Sequence, residues 1–499
     1  MSPLYVHLDF ETTVGEGLPI ANPEGPTLCF DAFVVALSQA CHGGEKRWYL
    51  STLELQLVSL DMCRACRSVP VLRVRVEDQT PTSLWSPREA QSRRNTCNSE
   101  IRISTRVPVV RAVRLTWALP MELLLRRATI ELWTSSECLE LLGFLYMAGL
   151  GSVVWPRGLT QLVLDAEFDI PIHDVSWPMF LERLVLEKFN QAIEGVAWPA
   201  SLQQLAFGGM FNQPVAGVVW PVSLQQLTFG SDFNQPVAGV VWPVSLQQLT
   251  FGSDFNQPIA GVVWPVSLER LSFGFHFNKL IAGVVWPVSL QQLALGGMLN
   301  HPIAGVVWPA SLQQLSFGAM FNQPIAGVAW PASLERLSFG FHFNQPIAGF
   351  VWPVSLQQLS FGWEFNQPIT GVVWPASLQQ LSFGMKFNQA IEGVVWPASL
   401  QQLSFGGNFN QPVAGVVWPA SLQQLSFGVR FNQPIAGVAW PASLQQLSFG
   451  HHFNQLIAGV VWPTSLQELA FGSSFDQPFP RVTWPRSLRQ LICGRERLL

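Results

Sequence analysis

The chain has 499 residues and a formal net charge of −4, from 28 basic and 32 acidic side chains. Between Pro199 and Ala470 only 12 of 272 residues are charged, seven acidic and five basic, far below the roughly 25% usual in soluble proteins. Because no basic stripe runs along this region, the sequence excludes a nucleic-acid groove, and no nucleic-acid partner is expected.

The cysteines and the N-terminal sequence indicate where in the cell the protein is expected. The seven cysteines are odd in number and irregularly spaced, unlike a disulfide framework. The start of the chain, with His7, Asp9 and Glu11, lacks the basic residues and apolar core of a signal peptide. The uncharged run from Leu141 to Pro156 has 16 residues, whereas a membrane helix needs about 20. We therefore expect a cytoplasmic protein with no signal peptide, transmembrane segment or membrane partner.

Residues 1–130 lack the repeat that fills the rest of the chain and contain polar and proline-rich stretches. They are predicted to form a separate N-terminal region, partly disordered and without an assigned fold. Alternation near Leu53–Leu60 and Val107–Leu115 is typical of strands. Cys63 and Cys66 have the spacing of a zinc or redox pair, but one CxxC without a second pair is weak support for such a site.

Residues 131–499 are predicted to form a solenoid. Here 16 Trp-Pro pairs run from Trp155 to Trp484, and consecutive tryptophans are almost all 22 positions apart. A fixed period of this size indicates one coil per repeat, stacked on the last. Residues of about 131–154 are predicted to be a degenerate N-terminal cap, and about 481–499 a charged C-terminal cap, because the ends of a solenoid must stay soluble.

Each repeat is predicted to contain a buried strand and no helix. Two prolines and two glycines per repeat leave no window of helical length. Leu447 and Phe449 alternate inward around an outward Ser448, and Gly450 follows where the chain must turn. Seven apolar side chains per coil are expected in the core, for example Phe211, Val215, Val218, Trp220, Leu224, Leu227 and Phe229.

Other recurring positions predict further contacts between coils. Val438 and Trp440 have the spacing of a second, shorter strand. Asparagine at one phase, from Asn212 to Asn454, predicts an interior ladder that joins each turn to the backbone of the next coil. A row of ligand-binding asparagines is the alternative. The Phe and Trp columns are interpreted as core, not as base-stacking platforms, because no cations accompany them.

The unit Phe-Asn-Gln-Pro followed by Trp-Pro-x-Ser-Leu-x-x-Leu-x-Phe-Gly resembles the FNIP repeat, a 22-residue relative of the leucine-rich repeat. The resemblance extends from Val154 to Gly494. It implies a mostly β, right-handed, leucine-rich-repeat-like solenoid of about 16 coils with a parallel sheet. It also implies a role in binding and no catalytic residue.

The two residues after each Phe-Gly differ from coil to coil, so the solenoid does not require a given side chain there. They are expected at the rim of the strand face, where exposed aromatic and methionine side chains suit a protein partner. Drift after duplication is the alternative explanation. The predicted partner-binding residues are Phe275, His276, Met320, Phe341, His342, Trp363, Glu364, Met385 and Lys386.

No catalytic or metal site is predicted. Catalysis needs unlike groups within hydrogen-bond reach, and the acidic side chains of the repeats are scattered singly. His276 and His342 share a phase three coils apart, a separation of roughly 14 Å that is too large for a shared metal. We therefore expect no enzyme, no metal and no cofactor.

The predicted function is a protein–protein interaction scaffold that binds on the strand face and its rim, with self-association through the solenoid ends as a further option. Leu119–Leu124 faintly resembles an F-box opening, which gives a ubiquitin-ligase substrate receptor as one alternative. A structural or surface-adsorbing protein is the other, since outward serines such as Ser316 and Ser448 form a regular row.

Overall fold

The structure is a computed structural model, and all structural statements below concern the residues that it describes. Cys63, Cys66, Leu53–Leu60 and Leu119–Leu124 lie outside those residues, so predictions about them stay predictions. The described residues are 5–11, 71–77, 112–117, 138–142 and 496–497 for the backbone, and 155, 158–164, 168–479 and 482–494 with side chains.

The protein is a parallel β-solenoid of about 15 to 16 coils of 22 residues, with no helix in its described part. It divides into two compact units, residues 1–235 and 236–499. In the first unit β1 and β2 pair antiparallel, and β2 through β8 pair in parallel. Its strands are β1 Tyr5–Glu11, β2 Val71–Glu77, β3 Ala112–Trp117, β4 Cys138–Leu142, β5 Gln161–Leu164, β6 Arg183–Leu186, β7 Gln204–Phe207 and β8 Gln226–Thr228.

The second unit contains one short strand per coil, each paired in parallel with the next, and a final antiparallel strand β21. Its strands are β9 Gln248–Thr250, β10 Arg270–Ser272, β11 Gln292–Ala294, β12 Gln314–Ser316, β13 Arg336–Ser338, β14 Gln358–Ser360, β15 Gln380–Ser382, β16 Gln402–Ser404, β17 Gln424–Ser426, β18 Gln446–Ser448, β19 Glu468–Phe471, β20 Gln490–Cys493 and β21 Glu496–Arg497.

The register of the parallel strands aligns the same repeat position in successive coils. Leu337, Leu359 and Leu381 are direct partners in β13, β14 and β15, so the register shift is one full repeat. Equivalent side chains therefore form columns along each unit, and every column is a stack of near-identical groups. The predicted boundary near residue 130 stays a prediction, because residues 118–137 lie outside the described ranges.

The predicted core is confirmed. All seven apolar side chains of the example coil, Phe211 to Phe229, are at most 5% exposed. Leu447 and Phe449 also point inward, while Ser448 between them is half-buried, as strand alternation requires. The core aromatic residues stack from coil to coil: Phe343, Phe365 and Phe387 lie with ring centroids 6.1 Å apart at 6°.

The predicted second strand is wrong. Val438 and Trp440 lie on an extended segment that the described structure does not assign to any strand. The reason is chemical: proline follows the tryptophan at this position in every repeat, and Pro441 has no N–H to give to a ladder. The backbone there turns instead, with Val438 N donating to Ile435 O at 3.3 Å and Leu444 N donating to Pro441 O at 3.1 Å.

The asparagine ladder is present, although its members are half-buried and not interior. The side-chain oxygen Oδ1 of Asn366 accepts from the backbone N–H of Asn388 at 2.9 Å and from Nε2 of Gln389 at 3.0 Å. Nε2 of Gln389 also donates to the backbone oxygen of Asn366 at 3.0 Å. Asp169 takes the same acceptor role for the backbone N–H of Asn190 at 2.8 Å. Each amide thus links one coil to the next.

Replacement of Asn366 by leucine should destabilise the second unit by about 1–3 kcal/mol, because the N–H of Asn388 loses its acceptor and the amide of Gln389 loses one of its two. Asn366→Asp keeps an acceptor oxygen, as Asp169 does naturally, and should cost far less. Urea unfolding followed by tryptophan fluorescence measures both variants. Equal losses for the two variants would contradict an acceptor role.

Candidate functional site

The ridge is the line of turn residues that follow each Phe-Gly, and its backbone is fixed independently of its side chains. The N–H of Glu364 donates to the oxygen of Phe341 one coil earlier at 2.8 Å, and the N–H of Lys386 donates likewise to Trp363 at 2.8 Å. Because only backbone atoms make these bonds, the bonds do not depend on which side chain occupies the ridge. This explains why the sequence varies there and leaves the side chains available for contact.

Six of the nine predicted residues lie together on three consecutive coils, and we call this cluster the ridge patch. The rings of Phe341 and Trp363 stack with their centroids 5.4 Å apart and their planes at 9°. Phe341 is 42% exposed and Trp363 is 45% exposed. Met385 continues the same column and is half-buried. The ridge patch is Phe341, His342, Trp363, Glu364, Met385 and Lys386.

Charged groups line the second column of the ridge patch. The Glu364 carboxylate lies between its two neighbours, with Oε1 2.7 Å from Lys386 Nζ and Oε2 3.0 Å from His342 Nδ1. The hydrogen bond from Lys386, and then that from His342, lowers the pKa of Glu364 below its ordinary value. Glu364 is therefore a fixed anion that orients its two neighbours beside the aromatic pair, and its pKa does not suit proton transfer near neutral pH.

The other three predicted residues lie apart from the ridge patch. Phe275 is 51% exposed, and His276 pairs through Nδ1 with Asp254 Oδ1 at 3.0 Å. Phe275 leans over Gly297 in the next coil: a Cβ on that glycine would be 2.4 Å from the Phe275 ring. Met320 is half-buried on the coil before Phe341. The sequence did not indicate that a glycine would make room for a large ridge side chain.

A second surface, the groove, follows the strand face of the second unit. It encloses about 800 Å³ and is lined only by strand residues: one Gln-Leu-Ser-like triplet from each of β9 to β19, and Gln490 and Ile492 of β20. None of the nine predicted residues lines it, so the strand face and the ridge are separate surfaces. The outward serines were predicted correctly, and Oγ of Ser404 bonds Oγ of Ser426 at 2.9 Å.

Exposed valines form a third surface that sequence reasoning missed. Val351, Val373 and Val395 are 83%, 77% and 81% exposed on consecutive coils, each just before a tryptophan. Their signal was present in the repeat. In Gly-Val-Val-Trp the first valine and the tryptophan point inward, so the valine between them must point outward.

Two further kinds of site are metal-binding clusters and membrane-spanning helices. In the part of the chain described above, no group of three or more His, Cys, Asp or Glu side chains is placed to hold a metal ion. The described residues likewise contain no helix long and apolar enough to cross a membrane.

Two comparisons of sequence bear on the family of this chain. A model of the FNIP repeat matches in tandem over residues 189–232, 211–254, 233–276, 255–298, 299–342, 343–386, 387–430 and 431–474. The chain belongs to the FNIP repeat family. A search of curated protein sequences finds no match to this FNIP repeat protein.

Several solved structures are similar to this FNIP repeat protein. CroV588, described as a circular LRR protein, is 33% identical with a TM-score of 0.58, over 79% of this chain and 71% of that one. An internalin (inlF) from Listeria monocytogenes is 12% identical with a TM-score of 0.38, over 59% and 82%. The Toll–Spatzle complex from Drosophila gives 11% identity and a TM-score of 0.44, over 80% and 54%. The similarity to CroV588 shows that the FNIP solenoid resembles a leucine-rich-repeat fold, which typically mediates protein interactions and is generally non-catalytic.

Proposed function

We propose that the protein is a non-catalytic scaffold that recognises a protein partner through the ridge patch. The stacked and half-exposed pair of Phe341 and Trp363 carries the proposal. Aromatic anchors dominate the binding energy of protein interfaces, and a rigid anchor loses little conformational entropy on binding. The backbone bonds of the ridge and the ring stacking supply that rigidity here.

The second column of the ridge patch favours a partner surface that carries polar groups, as a protein does, over a purely apolar ligand. His342, Glu364 and Lys386 form a hydrogen-bonded row beside the aromatic pair, and Lys386 remains half exposed. A polar rim next to an aromatic centre is the usual anatomy of a specific interface. The ridge patch combines these polar groups with two stacked aromatic rings and is therefore the better candidate.

The experiment compares capture of partners from native cells by the whole chain and by two matched triple variants. The test variant removes the apolar part of the ridge patch, and the control removes three exposed apolar side chains from the same region of the solenoid. A partner retained by the control and lost by the test variant supports the proposal. Equal retention by both contradicts it. The test variant is Phe341→Ser, Trp363→Ser and Met385→Ser, and the control is Val351→Ser, Val373→Ser and Val395→Ser.

A further inference from the structure

The groove contains amide groups that the protein itself does not use. Gln358, Gln380 and Gln402 line it and are half-buried, and their side-chain amides make no hydrogen bond to any other described residue. A different glutamine row of the repeat bonds the preceding coil through its side chains, as Gln389 illustrates through its bonds to Asn366. Each groove amide offers two donors and an acceptor, and a half-buried amide gains most from a ligand that satisfies them.

The groove also lacks charge over most of its length. From Gln358 to Ser448, five consecutive coils line it with glutamine, leucine and serine alone. The leucines are nearly buried, for example Leu359 at 2% exposure, so the accessible lining is amide and hydroxyl. A phosphate backbone or an acidic polysaccharide requires cations, which this stretch does not supply. The lining therefore favours an uncharged ligand rich in hydrogen-bonding groups.

The spacing of the coils selects among uncharged polymers. Identical groups recur along the groove once per coil, about 4.8 Å apart as in any parallel sheet. An extended peptide advances about 3.3 Å per residue, so its groups would lose register with the coils within a few residues. The rings of an extended β-1,4-linked glycan recur at nearly the coil spacing, so one ring can face each coil, with successive rings presenting alternate edges to the glutamine and serine rows.

We propose that the groove binds a neutral, linear glycan that runs along the solenoid with about one sugar per coil. The amides of Gln358, Gln380 and Gln402 bond the sugar hydroxyls, and the hydroxyls of serines such as Ser360 complete the contact. A second copy of the chain is a poor occupant, because two concave faces cannot close on each other. This surface is separate from the ridge patch, so the two proposals stand or fall independently.

The test uses the whole chain and titrates it calorimetrically with linear neutral glucans, β-1,4-linked and α-1,4-linked, in short and long oligomers. An acidic oligogalacturonate and an uncharged Gln/Ser peptide of matched length are the comparison ligands. The test variant replaces groove amides by isosteric apolar side chains, and the control makes the same change at the adjacent glutamine of each coil, which is equally half-buried but outside the groove. The test variant is Gln358→Met, Gln380→Met and Gln402→Met, and the control is Gln357→Met, Gln379→Met and Gln401→Met.

The expected result is binding of at least one neutral glucan, stronger for the longer oligomer and insensitive to salt. The test variant should weaken that affinity about tenfold or more, since three hydrogen-bonding amides are lost, and the control should match the wild type. Three outcomes would overturn the proposal: no heat of binding with any neutral glucan, equal losses in the two variants, or preference for the peptide or the acidic oligomer.

Discussion

Alanine at Gly362 is expected to destabilise the second unit by about 3 kcal/mol, because the new methyl group has no space. A Cβ at that position would lie 1.8 Å from the backbone oxygen of Gly340 and 2.3 Å from its carbonyl carbon. These atoms belong to the preceding coil and are backbone, so no side-chain rotation relieves the contact. The two coils must separate, which weakens the ladder and the ring stacks on either side.

The matched control is Gly371→Ala in the same repeat. Gly371 has φ +81°, and a Cβ there would meet no atom within 4 Å. Only the left-handed backbone conformation opposes alanine, at a cost of about 1 kcal/mol. Urea unfolding of both variants measures the difference, and hydrogen exchange of the amides in β13 to β15 localises it. A loss at Gly362→Ala no larger than that at Gly371→Ala would refute the packing argument.

These two glycines show which constraints on the backbone could be predicted from the sequence and which could not. Gly450, the equivalent of Gly362, was interpreted as a turn residue, yet its importance is the close approach of two coils: a Cβ would lie 1.9 Å from the oxygen of Gly428. A repeat period reveals that glycine is required at a position but not which constraint requires it. The distance between coils decides that, and it exists only after the coils have stacked.

For the candidate site, too, the sequence predicts which residues are neighbours but not how their side chains meet. The period alone places Phe341 beside Trp363 and Glu364 beside Lys386, because residues one repeat apart become neighbours in adjacent coils. It does not determine side-chain direction. Phe275 meets a glycine and lies over it, whereas Phe341 meets another ring and stacks. The strand face was expected to be a binding surface, but the sequence does not show that the side-chain amides lining its groove lack partners within the protein.

The core was predicted in full because its cause is local and repeated. Most coils bury the same seven apolar positions, although tryptophan is half-buried in some, such as at Trp330 and Trp440, and burial in one coil favours burial in the next. The wrongly predicted second strand marks the limit of this reasoning. Alternation at Val438 and Trp440 set the direction of the side chains correctly, but proline at position 441 prevents the backbone hydrogen bonds that would make a strand.

Truncation of Phe365 to alanine is expected to destabilise the second unit by about 3–5 kcal/mol. The ring is fully buried, lies 4.1 Å from the ring of Phe361 in its own coil, and stacks on Phe343 and Phe387 at 6.1 Å. Alanine would leave a cavity that the rigid neighbouring coils cannot close, and it would remove the ring contacts on both sides.

Phe365→Leu is the matched control, since leucine already occupies this column at Leu299, where it is fully buried. We expect it to cost less than about 1.5 kcal/mol, because most of the volume is kept. Urea midpoints give the ranking, and amide exchange shows whether the damage spreads. Because each coil contacts only its neighbours, faster exchange should be confined to the coils around Phe365 and decline with distance. Uniform acceleration across the second unit would instead show that it unfolds as a single cooperative block.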